Sequence, residues 1–407
     1  MRKGDNPSLL EGRFGRTEQG PIRLIFIDNL RWFLMVLVVV FHAAVTYGPI
    51  GSWFYLTRDI STDGVIPDQL VSLFFAIIVV MLQAFFMGLF FLIAGYFVPA
   101  SVEKKGTRQF VWDRVKRLGV PSLLFILVLT PLVTLMVNPT TLGTPTSFAS
   151  YWTGYVTNVS AWDTGPMWFA VALLLFSVVA AVSLRKWRWD RLQVSLTRSR
   201  LALFIFLIAA VSFLVRVVSP IGASVWNMQI AFFTQYVAFF LFGILAFGNG
   251  WLSAITYEEG KFWMKMAVLS LFALLIPDLV LGGVLQGNLV PFSGGLTWQS
   301  AVGSLWEETF AVGMSLSLLT WFREKHNRQN ALELRLADDA FAVYVFFPPV
   351  LVGIAVLMAP EVLPSLLKFL VLAVLGTVSS FALARLVLRR IPGLRSILWQ
   401  TRRPAKQ

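Results

Sequence analysis

A chain of 407 residues, 57% hydrophobic and 14% charged with a mean hydropathy of +0.73, is too apolar for a water-soluble domain of ordinary composition. It has no cysteine and two histidines, which excludes disulfides, thiolate nucleophiles and cysteine metal sites and leaves too little imidazole for a histidine-rich one. The formal charge of +13 falls between hydrophobic segments rather than in one stripe, a pattern that fits topology and anionic lipid rather than nucleic acid.

Residues 1–22 form a polar tail of mixed charge. The first apolar run then begins with no small-residue cleavage site behind a short core, so it is expected to stay as an uncleaved anchor, and no lipidation signal is apparent. Runs of spanning length follow at about 24–47, 70–98, 119–137, 166–184, 201–218, 229–248, 263–283, 298–320, 340–358 and 365–388. They predict an all-α, polytopic membrane bundle of about ten helices over residues 23–390, with a basic tail at 391–407. Pro348-Pro349 reads as a kink rather than an end. No strong internal repeat is visible.

Lysine and arginine alternate between connections. The stretch before the first run has five, counting Arg23, the second connection six, the fourth six and the eighth four; the first has only Arg58, and the third, seventh and ninth have none. The positive-inside rule puts both termini in the cytoplasm. Helix 1 then runs outward.

That first run carries Asp28, Arg31 and His42, which a 100° turn per residue places on one stripe, with His42 about 16 Å beyond Arg31. Ionisable groups at such positions cost several kcal/mol and read by default as function. An imidazole takes and gives protons near neutral pH, so His42 suits a general base. Its plain alternative is a polar residue bonded between helices. Glu307 and Glu308 in the eighth run lie at a depth close to that of His42, and either carboxylate is expected to fix its tautomer and hold its proton. Arg114 and Arg117, three apart just before the third run, suit phosphate binding if helical, although basic residues there commonly serve as anchors. Arg31 has the plain alternative of pairing with Asp28. His326 reads as solvated, Trp162 and Trp168 as interface anchors, and Asp163, with Arg216 and Asp278 near outer helix ends, as weaker candidates for the outer mouth of a site.

Asp28-Asn29-Leu30-Arg31 with His42 resembles the first-helix signature of the acyltransferase type 3 membrane family. Arg114-Val-Lys-Arg117 resembles its Arg-x-x-Arg motif and Phe-Phe-Leu-Ile-Ala-Gly-Tyr-Phe (90–97) the segment before it. Met-Trp-Phe (167–169), the segment 235–246 and Ala-Phe-Ala-Val-Tyr (340–344) match later landmarks, in order, over about 23–390. The resemblance implies an enzyme of about ten helices that passes an acyl group from a cytoplasmic donor, commonly acetyl-CoA, to an acceptor across the membrane. Family acceptors include sugars of lipopolysaccharide, exopolysaccharide and peptidoglycan, macrolides, and, in the glucan biosynthesis protein C branch, periplasmic glucans that receive succinyl groups. By the same resemblance Arg31, Arg114 and Arg117, with Asp28 beside them, would meet the donor phosphates. His42 would deprotonate the acceptor or briefly carry the acyl group. Two positions often filled by histidine hold Pro166 and Phe347 instead, and Ala94 replaces a usual serine.

The expected function is therefore a membrane O-acyltransferase in the bacterial inner membrane. It would use acyl-CoA, acetyl or succinyl, as co-substrate, no other cofactor and no metal, with a hydroxyl of an extracytoplasmic glycan as acceptor and lipids as partners. The rival is a proton-coupled exporter of a lipid-linked sugar or small acid, with His42 and the paired glutamates as a relay. A non-catalytic partner of a polysaccharide assembly complex is a third reading.

Overall fold

The computed structural model describes residues 16–17, 20–21, 24–57, 68–138 and 148–399. In hydrocarbon every backbone N–H and C=O must be satisfied within the protein, and these apolar runs accordingly fold as helices. In chain order they are α1 (Ile25–Tyr47), α2 (Asp68–Tyr96), α3 (Thr107–Val137), α4 (Trp168–Trp187), α5 (Arg198–Val218), α6 (Phe233–Asn249), α7 (Tyr257–Leu281), α8 (Trp298–Lys325), α9 (Ala331–Leu357), α10 (Ser365–Leu386) and α11 (Pro392–Leu398). Among the described residues, all but α8 and α11 are long and apolar enough to cross a membrane. α8 has 28 residues, about 42 Å of rise, but its buried glutamates, serines and threonines lower its hydropathy. The expected bundle is present. The tails at 1–22 and beyond Trp399, and Arg58, lie largely or wholly outside the described residues.

α1 packs against α2, α8, α9 and α10 through Leu30, Leu34, Val39 and Ala43, none of which is exposed. α2 and α6 approach backbone to backbone, because a methyl group at Gly95 would strike the Phe240 carbonyl and one at Gly243 the Leu92 carbonyl. Ser317 on α8 donates to the Gly260 carbonyl of α7 (2.9 Å).

Two boundaries differ from expectation for a physical reason. α9 starts at Ala331, ahead of its apolar part, because Asn330 and Glu333 form a capping box that lets polar residues open the helix. α3 starts at Thr107, so Arg114 and Arg117 lie within it rather than before it. The helix passes its prolines by widening. π turns at Val115–Gly119 and Phe125–Leu129 precede Pro121 and Pro131, and in α7 Leu271–Leu275 precedes Pro277. A proline offers no N–H and its ring crowds the carbonyl four residues back, which in each case is the central residue of the π turn.

The strands are minor: Arg16–Thr17 pairs with Gly20–Pro21, and Ser224–Val225 with Met228–Gln229. The second hairpin turns through Trp226 and Asn227, both at positive φ as a two-residue hairpin turn requires. It docks on the approach to α4: Thr164 Oγ1 donates to the Trp226 carbonyl (2.6 Å), and Asn227 Nδ2 to Asp163 Oδ1 (3.0 Å). Asp163 Oδ1 also accepts from the Gly165 N–H (2.8 Å), so Asp163 shapes this turn. α11 lies on the stretch 115–124 of α3, with Leu398 and Trp399 buried. The start of the expected basic tail is therefore folded onto the bundle.

Candidate active site

His42 lies near the end of α1, half-buried. Its Nδ1 is 2.7 Å from the carbonyl of Val38, one turn earlier. A carbonyl only accepts, so in the neutral ring Nδ1 carries the hydrogen and Nε2 presents the lone pair. Nε2 has no hydrogen-bond partner among the described residues. The ring is walled by aromatic groups: Trp53 at 4.2 Å between centroids, Phe347 at 5.1 Å and Phe41 at 5.1 Å. Trp53 and Phe347 are nearly parallel, 8° apart, at 5.8 Å.

Trp53 reaches this place because the chain after α1 folds back, held by the Thr57 N–H donating to the Thr46 carbonyl (2.9 Å). Phe54, beside it, packs on Phe125 of α3. Gly165, at φ +47°, leaves room where a side chain would strike Phe54 and Phe125. The two positions that lack histidine both border this region. Phe347 touches the imidazole, and the carbonyl of Pro166 accepts from Tyr344 Oη at 2.5 Å, one turn from Phe347 on α9. The wall of the site is thereby apolar at Phe347.

Glu307 and Glu308 are not joined to His42. Glu307 pairs with Arg216 of α5 at 2.6 Å, all but inaccessible to solvent. Arg216 also donates to Ser304 (3.0 Å). Glu308 accepts from Ser212 (2.9 Å) and Gln235 (3.2 Å). Among the described residues no carboxylate lies within ion-pair distance of His42. The expectation that one of these acids fixes its tautomer is thus corrected: a backbone carbonyl of its own helix does so. Asp278 is buried nearby on α7, facing Gly303 of α8, with neither carboxylate oxygen hydrogen-bonded among the described residues.

At the other end of α1, Arg31 pairs with Asp28 at 3.6 Å, as their spacing predicts, and lies over the Phe97 ring at 5.0 Å. Arg114 lies over Phe110 at 5.1 Å. Arg31, Arg114 and Arg117 are near enough that each charge acts on the others. α1 and α3, far apart in sequence, thus contribute to one positive cluster, which suits a phosphate-bearing ligand.

Sequence reasoning passed over three residues that build this layout. Asn29 donates to the carbonyls of His326 (2.7 Å) and Arg328 (2.9 Å) and accepts from Gln329 (2.9 Å), fixing α1 to the α8–α9 connection. Its signal was a buried-side amide beside Arg31. Trp53 was signalled only by an aromatic cluster, Trp53-Phe54-Tyr55, directly after the helix. Asp339, buried on α9, accepts from Trp399 Nε1 (2.8 Å) and pairs with Arg385 (3.5 Å) and Arg389 (3.4 Å). His326, expected to be solvated, packs its ring on Trp321 at 4.5 Å.

A family model described as an acyltransferase domain matches residues 24–385. The chain belongs to the acyltransferase type 3 family. It is a polytopic membrane protein of that family. Among curated proteins, this family member is similar to the Glucans biosynthesis protein C of Salmonella paratyphi A, of Salmonella agona (strain SL483) and of Salmonella dublin. Each is 28% identical over 243 residues, which make up 55% of this chain and 58% of the relative. The chain thus spans less than two thirds of these relatives' length. No solved structure matches it.

Proposed function

We propose that this acyltransferase takes an acetyl or succinyl group from a cytoplasmic acyl-CoA and passes it to a hydroxyl of an extracytoplasmic glycan, in the bacterial inner membrane. Arg31, Arg114 and Arg117 would hold the donor phosphates, with Asp28 setting the pose of Arg31. His42 would deprotonate the acceptor hydroxyl through Nε2, or carry the acyl group on that atom between two transfers. Glu307 and Glu308 would hold α5 and α6 against α8 around the site rather than relay its proton.

The observation that carries this reading is the division of labour along α1. A helix that joins the arginine cluster at one end holds, about 16 Å further on, an anchored imidazole whose second nitrogen has no hydrogen-bond partner among the described residues. The hydrogen bond to Val38 fixes the ring through Nδ1 and so does not occupy Nε2, the nitrogen a general base would use. The likeness to glucan biosynthesis proteins favours a glycan acceptor.

The test is to supply membranes with acyl-radiolabelled acetyl-CoA and succinyl-CoA and to follow label into the glycan fraction. Transfer that depends on this protein supports the proposal and names the donor. No transfer from either donor, with glycan demonstrably present, would contradict it.

A further inference from the structure

The indole N–H of Trp53 is buried and makes no hydrogen bond among the described residues. Such a group costs about 1–3 kcal/mol to leave unmade, and a buried donor left open in a native fold calls for a reason. Its position supplies one. Among the described residues the indole is the nearest ring to the His42 imidazole, 4.2 Å between centroids, so the two rings are in van der Waals contact. It is carried by a loop that folds back over α1 and is held in plane by Phe347. Phe347 and Phe41 are the other aromatic rings against His42 among the described residues. A lone pair that can take a proton and an N–H that can stabilise an oxygen thus belong to two rings in contact.

We infer that Trp53 is a catalytic residue whose Nε1–H donates a hydrogen bond to the acyl carbonyl oxygen as negative charge develops on it. This rests on the acyltransfer reading above. In the step proposed, the acceptor oxygen gives its proton to His42 Nε2 and bonds to the thioester carbon. The carbonyl π electrons move onto oxygen, which is held by the Trp53 N–H. Collapse restores the C=O bond and breaks the C–S bond, and the departing thiolate takes the proton back from the imidazolium. An ester and a free thiol result, with both side chains unchanged. If the acyl group pauses on Nε2, each of the two tetrahedral states places the same oxygen against the same donor. A fixed donor of this kind acts mainly in the transition state, where it is worth about 10²–10³-fold in kcat.

The experiment compares the full-length wild type, Trp53→Phe, Trp53 replaced by the sulfur isostere benzothienylalanine, and His42→Ala, all at matched amounts in membranes. The phenyl variant keeps an aromatic wall, and the isostere keeps the shape of the indole, while both lack the N–H. The inference predicts about a 100-fold fall in kcat for each, with KM for donor and acceptor within about twofold of wild type. Wild-type kcat in the isostere overturns it, as does a loss confined to KM, because either would leave Trp53 as wall alone. An active wild type with an inactive His42→Ala and an unimpaired isostere rejects this inference while sparing the acyltransfer reading. A wild type that transfers nothing rejects both.

Discussion

At the scale of single residues, the bundle holds two kinds of charge with opposite demands. Arg31, Arg114 and Arg117 form a positive cluster for which Asp28 is the carboxylate paired with Arg31, so an incoming phosphate would gain charge-assisted hydrogen bonds there. One such bond is worth about 1.5–3 kcal/mol, so Arg114→Ala is expected to raise the KM for the acyl donor by about 10- to 100-fold with kcat little changed. An unchanged donor KM would sink the phosphate assignment. The Arg216–Glu307 pair is buried, with Arg216 Nε and Glu307 Oε1 left without hydrogen-bond partners among the described residues, and its removal is expected to act on folding. Losing one partner strands the other, at about 3–5 kcal/mol, whereas replacing both by apolar groups is often near neutral. Unfolding in detergent should therefore show a large loss for Glu307→Ala and recovery in Arg216→Met combined with Glu307→Leu. Additive losses would mean that the pair is not a unit. The sequence made the charges of α1 legible, since Asp28, Arg31 and His42 share a stripe by spacing alone. It did not make the orienting partner of His42 legible, because depth alone cannot distinguish a glutamate beside the ring from one turned toward α5. The ring's bond to Val38 four residues back was open to the same helical arithmetic, and the carboxylates drew attention from it.

At the scale of elements, apolar runs announce spans well and polar helix starts poorly. α9 gains its first turns from the Asn330 capping box, and α3 reaches back to Thr107 because a π turn carries the helix past Gly119 and Pro121. Pro348-Pro349, read as a kink, lie inside the continuous α9, whereas Pro121, Pro131 and Pro277 follow π turns, one of which holds Arg117. That turn is also braced from outside by α11, which Asp339 tethers through Trp399 while pairing with Arg385 and Arg389. Trp399 is 60 residues from Asp339 in the chain, so no local pattern reveals the contact. Asp339→Ala is expected to release α11 and to speed amide hydrogen exchange across residues 115–124 about tenfold, equivalent to ~1.4 kcal/mol of local stability. Exchange unchanged over that stretch would show that α11 does not brace the donor-side arginines.

At the scale of the whole molecule, α1 sits among α2, α8, α9 and α10 and carries both ends of the proposed reaction path. The offset of about 16 Å between Arg31 and His42 is roughly half of a 30 Å hydrocarbon core. In the proposed orientation an acyl-CoA would bind by its phosphates on the cytoplasmic face and extend its thioester arm along α1 to His42, where the acceptor arrives from the far side. The coenzyme would then never need to cross. The most direct test uses inverted and right-side-out membrane vesicles, each with the wild type or His42→Ala at matched levels, and adds labelled acyl-CoA from outside. The account predicts label in the enclosed glycan of inverted wild-type vesicles, none with right-side-out vesicles, and none with His42→Ala in either. Equal labelling by the His42 variant, or transfer only in right-side-out vesicles, would contradict it.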